Sequence, residues 1–220
     1  MKTISREEYH RLFDGNTKIL EKDKFGKKVV ETSDKKIIKI FRLKSYFSSA
    51  FLNPYAVRFK KNAECLKHLG IPTVTVDKIA YCPEEKRYII IYQKLEGSTL
   101  RQVFEHSYDP GLLLKLAKFI ANLHRNGVYF RSLHLGNILL MEKDKLGLID
   151  IADMRVLRKS LSPRLRVRNF RHLVRYADDV SIIKQLGLSC FLVHYLKNAN
   201  QSSKWEIKFH RYWKSMKLPM

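Results

Sequence analysis

Tyr129 to Asp150 read YFRSLHLGNILLMEKDKLGLID. A loop holding Ser132, His134 and Asn137 leads into the apolar run Ile138 to Met141. A charged turn over Glu142 to Lys145 follows, and then a second apolar run, Leu146 to Ile149, that delivers Asp150. Two short strands joined by a tight turn bring Asn137 and Asp150 side by side. An amide oxygen and a carboxylate suit a hard Mg²⁺ ion bridging nucleotide phosphates, because that ion prefers oxygen ligands and keeps several waters. Asn137 and Asp150 are therefore the candidate metal ligands.

The loop resembles the H-R-D-L-x-x-x-N signature of the protein-kinase-like superfamily, in which an Asp follows at the end of the next strand. Small bacterial sugar and antibiotic kinases write the loop closer to H-G-D-L-H-x-G-N. On that pattern Leu133, His134, Gly136 and Asn137 match, and Asp150 takes the place of the metal-binding Asp of D-F-G. The resemblance implies ATP and Mg²⁺ as cofactors. Ser132 stands where the family has its catalytic Asp. Serine is not a base at neutral pH, so Ser132 is expected to orient the acceptor hydroxyl while His134 or Asp153 takes its proton. His134 also reads as a residue bracing the loop backbone, and Asp153 as a cap or an arginine partner.

The upstream segments follow the same order. Lys35 to Phe41, KKIIKIF, reads as a β-branched strand, with Lys39 the candidate for the lysine on the phosphates. Asn53 to Leu69 places Ala56, Phe59, Ala63, Leu66 and Leu69 at helical spacing. That helix carries Glu64, and in the family an acid from it aligns the strand lysine. Tyr88 to Tyr92 reads as the last strand of a first lobe, and residues 93–97 as a hinge whose backbone, at Gln93 and Leu95, would take the adenine edge. Leu100 to Phe104 and Leu112 to His124 read as helices, the second ended by Asn126 and Gly127. Between Thr17 and Thr32 a hairpin is expected whose one glycine, Gly26 in EKDKFGKK, is far from G-x-G-x-x-G. Lys22, Lys24, Lys27 and Lys28 would hold phosphate there or form a solvated turn. The expected fold is α+β, a protein-kinase-like bilobal domain: residues 1–92 a small antiparallel-sheet lobe with one main helix, 98–220 a mostly helical lobe.

Charge is the second strong signal. The 220 residues hold 43 Lys and Arg against 21 Asp and Glu, a net charge of +22, so an acidic partner is expected. Arg155, Arg158, Lys159, Arg164, Arg166, Arg168, Arg171 and Arg175 occur without one acidic residue between them. Arginine suits bidentate recognition of phosphate and carboxylate. The run RVRNFRHLVRY from Arg166 to Tyr176, with FRSLHLGNIL, LIDIADMR, RLKSYFSSA and LGIPTV, resembles the bacterial lipopolysaccharide kinases of the Kdo and heptose kinase family, in particular their short members called toluene tolerance proteins. That resemblance covers roughly Lys35 to Tyr176. It implies ATP-dependent phosphorylation of an inner-core sugar at the cytoplasmic face of the inner membrane, with Arg166, Arg168 and Arg171 on an anionic glycolipid.

Other classes find less support. Cys65, Cys82 and Cys190 have no C-x-x-C spacing, and no H-E-x-x-H pair occurs, so a zinc site or disulfide framework is not expected. Met1 to Asp14 is charged throughout, and no apolar run reaches the ~20 residues that span a bilayer. A cytoplasmic protein is expected, peripheral on the membrane if attached at all. The segments from Phe191 to Leu196 and from Trp205 to Met220 read either as interfacial or as the closing helices of the second lobe. The little chain that follows Asp150 favours a small molecule or glycan over a protein acceptor. Two alternatives stand beside the kinase reading: a pseudokinase scaffold that binds nucleotide without the base, and a tRNA-associated protein similar to the small kinase of the KEOPS tRNA-modification complex.

Overall fold

Strand β4, Lys36–Arg42, shows why the first part of the chain folds as it does. Its β-branched residues favour a pleated sheet, and alternate residues face opposite sides. The computed structural model describes residues 1–43 and 53–218; the KSYFSSA part of the RLKSYFSSA stretch lies outside them. The described chain divides into two units, Met1–Lys67 with Thr73–Leu95, and His68–Pro72 with Glu96–Met220.

In the first unit β1 (Lys2–Thr3), β2 (Lys18–Asp23), β3 (Gly26–Glu31), β4, β5 (Thr75–Cys82) and β6 (Arg87–Gln93) form one sheet in the order β1-β5-β6-β4-β3-β2. Every pair is antiparallel except β1 with β5. One face buries Val30, Ile38, Ile40, Ala80, Cys82 and Ile89, with Ile4 and the half-buried Tyr9, Leu12 and Phe13 packed on it. Tyr9 belongs to the short helix α1, Arg6–Arg11, started by a capping box between Ser5 and Glu8. On the other face Ile37, Lys39 and Phe41 alternate with that core. Helix α2, Tyr55–His68, lies there, stacking Phe59 on Tyr92 at 5.2 Å and Tyr55 on Phe41 at 6.0 Å.

The second unit opens with β7, Ser98–Thr99, and α3, Leu100–His106, whose Thr99 and Gln102 form another capping box. Gly97, just before them, has φ +141, and a Cβ there would lie 2.5 Å from the Leu140 carbonyl oxygen, so glycine is required. Helix α4, Pro110–Arg125, starts on Asp109 with proline in its first turn and buries Leu112, Leu113, Leu116, Ala117, Ile120, Ala121, Leu123 and His124. Gly127 ends it at φ +74, where a Cβ would meet the Leu157 carbonyl oxygen at 2.2 Å.

Two small sheets follow. β8 (Val128–Phe130) pairs with β11 (Met154–Val156), and β9 (Ile138–Leu140) pairs with β10 (Leu146–Leu148) and with β7. Helices α5 (Pro163–Leu173), α6 (Ala177–Ala199, interrupted at Gly187) and α7 (Ser203–Ser215) complete the unit. Phe170 of α5 meets Tyr195, Phe191, Phe209 and Trp213 edge-on, at 4.7–6.2 Å between ring centroids. The segments with two readings in the sequence are thus closing helices, with Phe191, Phe209 and Trp213 in the core. No helix among the described residues is long and apolar enough to cross a membrane. The α+β class, with the sheet first and the helices after it, is the one the sequence predicts.

A fully buried polar network crosses this core. Arg166 donates to the Tyr195 hydroxyl at 3.3 Å, and that hydroxyl lies 2.8 Å from His124 Nδ1. His124 Nε2 lies 3.1 Å from Asn169 Oδ1, which can only accept. The imidazole therefore carries its proton on Nε2 and accepts from Tyr195 on Nδ1. Asn169 in turn receives the Phe130 amide at 3.3 Å and donates to the Phe130 carbonyl at 2.6 Å. Burial, reinforced by the Arg166 charge, pushes the His124 pKa down to about 3 from its ordinary 6.5.

Folded His124 stays neutral while the unfolded chain takes up a proton below pH 6.5, so its contribution is complete above 6.5 and is lost as pH falls towards 3. The expected loss is about 1.4 kcal/mol per pH unit, or about 2 kcal/mol between pH 6.5 and 5. Urea unfolding of the native chain across that window should show this slope in excess of the slope measured for His124→Gln.

Candidate functional site

The hairpin of β9 and β10 sets the two candidate metal ligands. Ile138 pairs with Leu148, and the Ile149 amide donates to the Asn137 carbonyl at 3.1 Å, so the residue before β9 and the segment after β10 lie against each other. Asn137 is buried, and its side-chain nitrogen donates to the Ser132 carbonyl at 3.0 Å, which leaves the amide oxygen as the end with ligand capacity. Asp150 sits in the left-handed region at φ +52, ψ 45. Among non-glycine residues Asp and Asn reach that region most readily, and such strain gathers at functional sites. The pair matches the donor set that magnesium takes from a protein, one carboxylate and one neutral oxygen with the rest left to phosphate and water. No group of three or more His, Cys, Asp or Glu that could hold a metal ion occurs among the described residues.

Two side chains that sequence reasoning missed hold the loop. Asp179, in the first turn of α6, is fully buried; it accepts from Arg101 Nε at 2.7 Å and Nη2 at 3.1 Å, and from the Leu135 amide at 3.0 Å. Asn169 holds Phe130 on the other side of Ser132. The loop, which ends in a single 3-10 turn over Leu135–Asn137, is thereby fixed at both ends. In the sequence Asp178 and Asp179 look like ordinary first-turn acids on a helix, and nothing marks Arg101 as their partner.

Within the loop, the Ser132 hydroxyl has no hydrogen-bond partner among the described residues. His134 meets the Tyr176 ring edge-on at 5.0 Å, and its Nδ1 is buried without a partner. Burial lowers its pKa most, and the Arg101 and Arg175 charges add to this against Asp179 and Asp150, so the ring is held neutral. The expected hydrogen bond from the His134 ring to the loop backbone is not formed at Nδ1. Asp153 is engaged instead with Arg131, whose Nε lies 2.9 Å from its Oδ1, and the Arg131 amide donates to the Asp153 carbonyl.

Lys39, Glu64, Gln93 and Leu95 belong to the first unit. Lys39 is half-buried on the α2 face of the sheet, its ammonium 5.8 Å from the Phe41 ring centroid. Glu64 is exposed and pairs with Lys60 one turn away at 3.8 Å. The Gln93 side chain bonds to Asp77 at 2.8 Å, while the Leu95 backbone makes no backbone hydrogen bond among the described residues. The expected phosphate loop is the β2–β3 turn, where Asp23 accepts from the Phe25 amide and Gly26 takes φ +112. Its lysines have local contacts: Lys24 with the Phe25 ring, Lys27 with the Phe13 ring and Lys28 with Glu21.

The arginine run divides by helix face. Arg168 and Arg171 are exposed on α5. Arg166 is not. It is fully buried, donates to the Leu161 carbonyl at 3.0 Å and to Ser160 Oγ at 2.8 Å, and lies 4.7 Å from the Trp205 ring. The expectation of substrate contact at Arg166 is corrected: its position on the inner face of α5 makes it part of the core network.

Removing the Asp179 carboxylate leaves Arg101 and the Leu135 amide without their acceptor. Breaking one side of a buried pair typically costs about 3 kcal/mol. Asp179→Ala should lower unfolding free energy by about that amount in urea, and Asp179→Asn, which keeps an oxygen for Leu135, by less.

No individual curated protein matches the chain significantly. A family model described as lipopolysaccharide kinase (Kdo/WaaP) family matches residues 38–191, from the middle of β4 to the second half of α6, and so spans the lysine strand, the loop and the hairpin. The chain therefore belongs to the lipopolysaccharide kinase (Kdo/WaaP) family.

Proposed function

We propose that the chain is an ATP-dependent phosphotransferase that moves the γ-phosphate onto a sugar hydroxyl of the lipopolysaccharide core, at the cytoplasmic face of the inner membrane. The observation that carries this is the pairing of Asn137, with its amide oxygen left over, with Asp150 in its left-handed turn at the exit of the hairpin. Asn137 and Asp150 would hold Mg²⁺, which when bound neutralises charge on the phosphates. Lys39 would reach the phosphates with Glu64 aligning it, and the Leu95 backbone beside Gln93 would take the adenine edge.

Phosphoryl transfer through a loose transition state depends mainly on positioning and charge neutralisation, so it tolerates the loss of a strong base. Ser132 would orient the acceptor hydroxyl. His134 is the better candidate for its proton, because it is neutral and has an unpartnered Nδ1, whereas Asp153 is committed to Arg131. Arg168 and Arg171 would face the anionic glycolipid.

Ser132 itself favours a second reading, a nucleotide-binding scaffold without turnover. Two measurements separate the readings. Calorimetry should show magnesium-dependent ATP binding to the native chain that Asp150→Asn loses; no binding by the folded native chain sinks both. With lipopolysaccharide core as acceptor, His134→Gln should reduce kcat by about a hundredfold with KM little changed. No transfer by the native chain under saturating Mg-ATP would leave only the scaffold. Strong, salt-dependent binding of tRNA in place of glycolipid would point to the tRNA-associated class.

A further inference from the structure

Strand β8 places Tyr129 on one face of its ribbon, and Arg131, two residues on, continues that face into the loop. Arg155 of β11 lies directly opposite Tyr129 in the register and so shares that face. Tyr129 is 7% exposed, and its hydroxyl is buried with no hydrogen-bond partner. Against it stands α5: the His172 ring meets the Tyr129 ring edge-on at 6.2 Å. Arg168 lies one turn before His172, and Arg175 follows the end of the same helix.

Charge at this place is one-sided. His172 is half-buried, and its pKa is lowered first by burial and then by Arg175, Arg131 and Arg168, with Asp153 acting the other way. Asp153 is already paired with Arg131. Arg155, Arg168 and Arg175 have no carboxylate partner among the described residues. A buried hydroxyl with no acceptor and a group of unneutralised guanidinium ions both disfavour the empty arrangement, and one anion with several oxygens relieves both.

We propose that Tyr129, Arg131, Arg155, Arg168, His172 and Arg175 form an anion subsite beside Ser132, which takes a phosphate or carboxylate already carried by the acceptor sugar. The Tyr129 hydroxyl donates to one oxygen, and the arginines enclose the others. Arg131 adjoins Ser132 in the chain, so an acid group held here places a neighbouring hydroxyl at the loop. The reaction that installs the acidic group must then precede this one. The assignment of the anion to the acceptor rests on the phosphotransferase reading; the subsite itself does not.

The test needs no ATP. The native chain is titrated with inorganic phosphate, with glucuronate and with neutral glucose, while the His172 imidazole resonances are followed over pH. Saturable binding of either acid should raise the His172 pKa, because a bound anion offsets the three arginines, and glucose should leave it unchanged. A response to phosphate alone identifies a phosphate-bearing sugar, and a response to glucuronate alone a carboxylate-bearing one. Tyr129→Phe and Arg168→Ala should each weaken binding about tenfold, whereas Lys208→Ala, on the exposed face of α7, should not. Melting curves establish that the variants fold, and if one does not, the native titration decides alone. A silent His172, or equal weakening by Lys208→Ala, overturns the subsite in favour of diffuse positive charge. Binding without any phosphate transfer keeps the subsite and sinks the kinase reading. Transfer to an acidic acceptor with KM unchanged in both subsite variants removes the acceptor from it.

Discussion

A carboxylate buried without solvent must be neutralised where it sits, and much of the candidate site follows from how Asp179 meets that requirement. Its two oxygens take the Arg101 guanidinium and the Leu135 amide, joining α3, α6 and the loop in one contact. The arrangement is specific because a guanidinium fork and a backbone N–H have fixed directions. A hydrophobic contact of equal area would hold the helices together without saying where the loop goes.

Asn169 repeats the device at the other end. It satisfies both the amide and the carbonyl of Phe130, so the loop leaves β8 in a fixed direction. Its own position is set by His124, which is oriented through Tyr195 by Arg166. Ser132, His134 and Asn137 thus sit between two clamps supplied by helices that come later in the chain. In a family whose chemistry consists largely of positioning, such supports weigh as much as the groups that touch substrate.

Arginine has two occupations in this chain. Arg166 is an interior donor, its charge screened by carbonyl and hydroxyl oxygens and the face of Trp205. Arg168 and Arg171, on the same helix, are outside. The excess of positive charge is therefore partly architectural, and only the outward part is available to an acidic ligand.

The β2–β3 hairpin, strands β4 and β6, helices α2 to α4, the hairpin that brings Asn137 to Asp150, and the helix end at Gly127 were legible in the sequence. They depend on local propensity, turn chemistry and spacing within a few residues. The run from Arg166 to Tyr176, taken with four further stretches, also pointed to the family. The burial of Arg166, the clamp from Asp179 to Arg101 and the convergence of Tyr129 with His172 were not legible. Each joins residues separated by 29 to 78 positions or turns on which side of a helix faces the core. The sequence determined which groups the chain has for handling phosphate; tertiary packing decided which of them face outward, because only the folded core shows which charges it has already used.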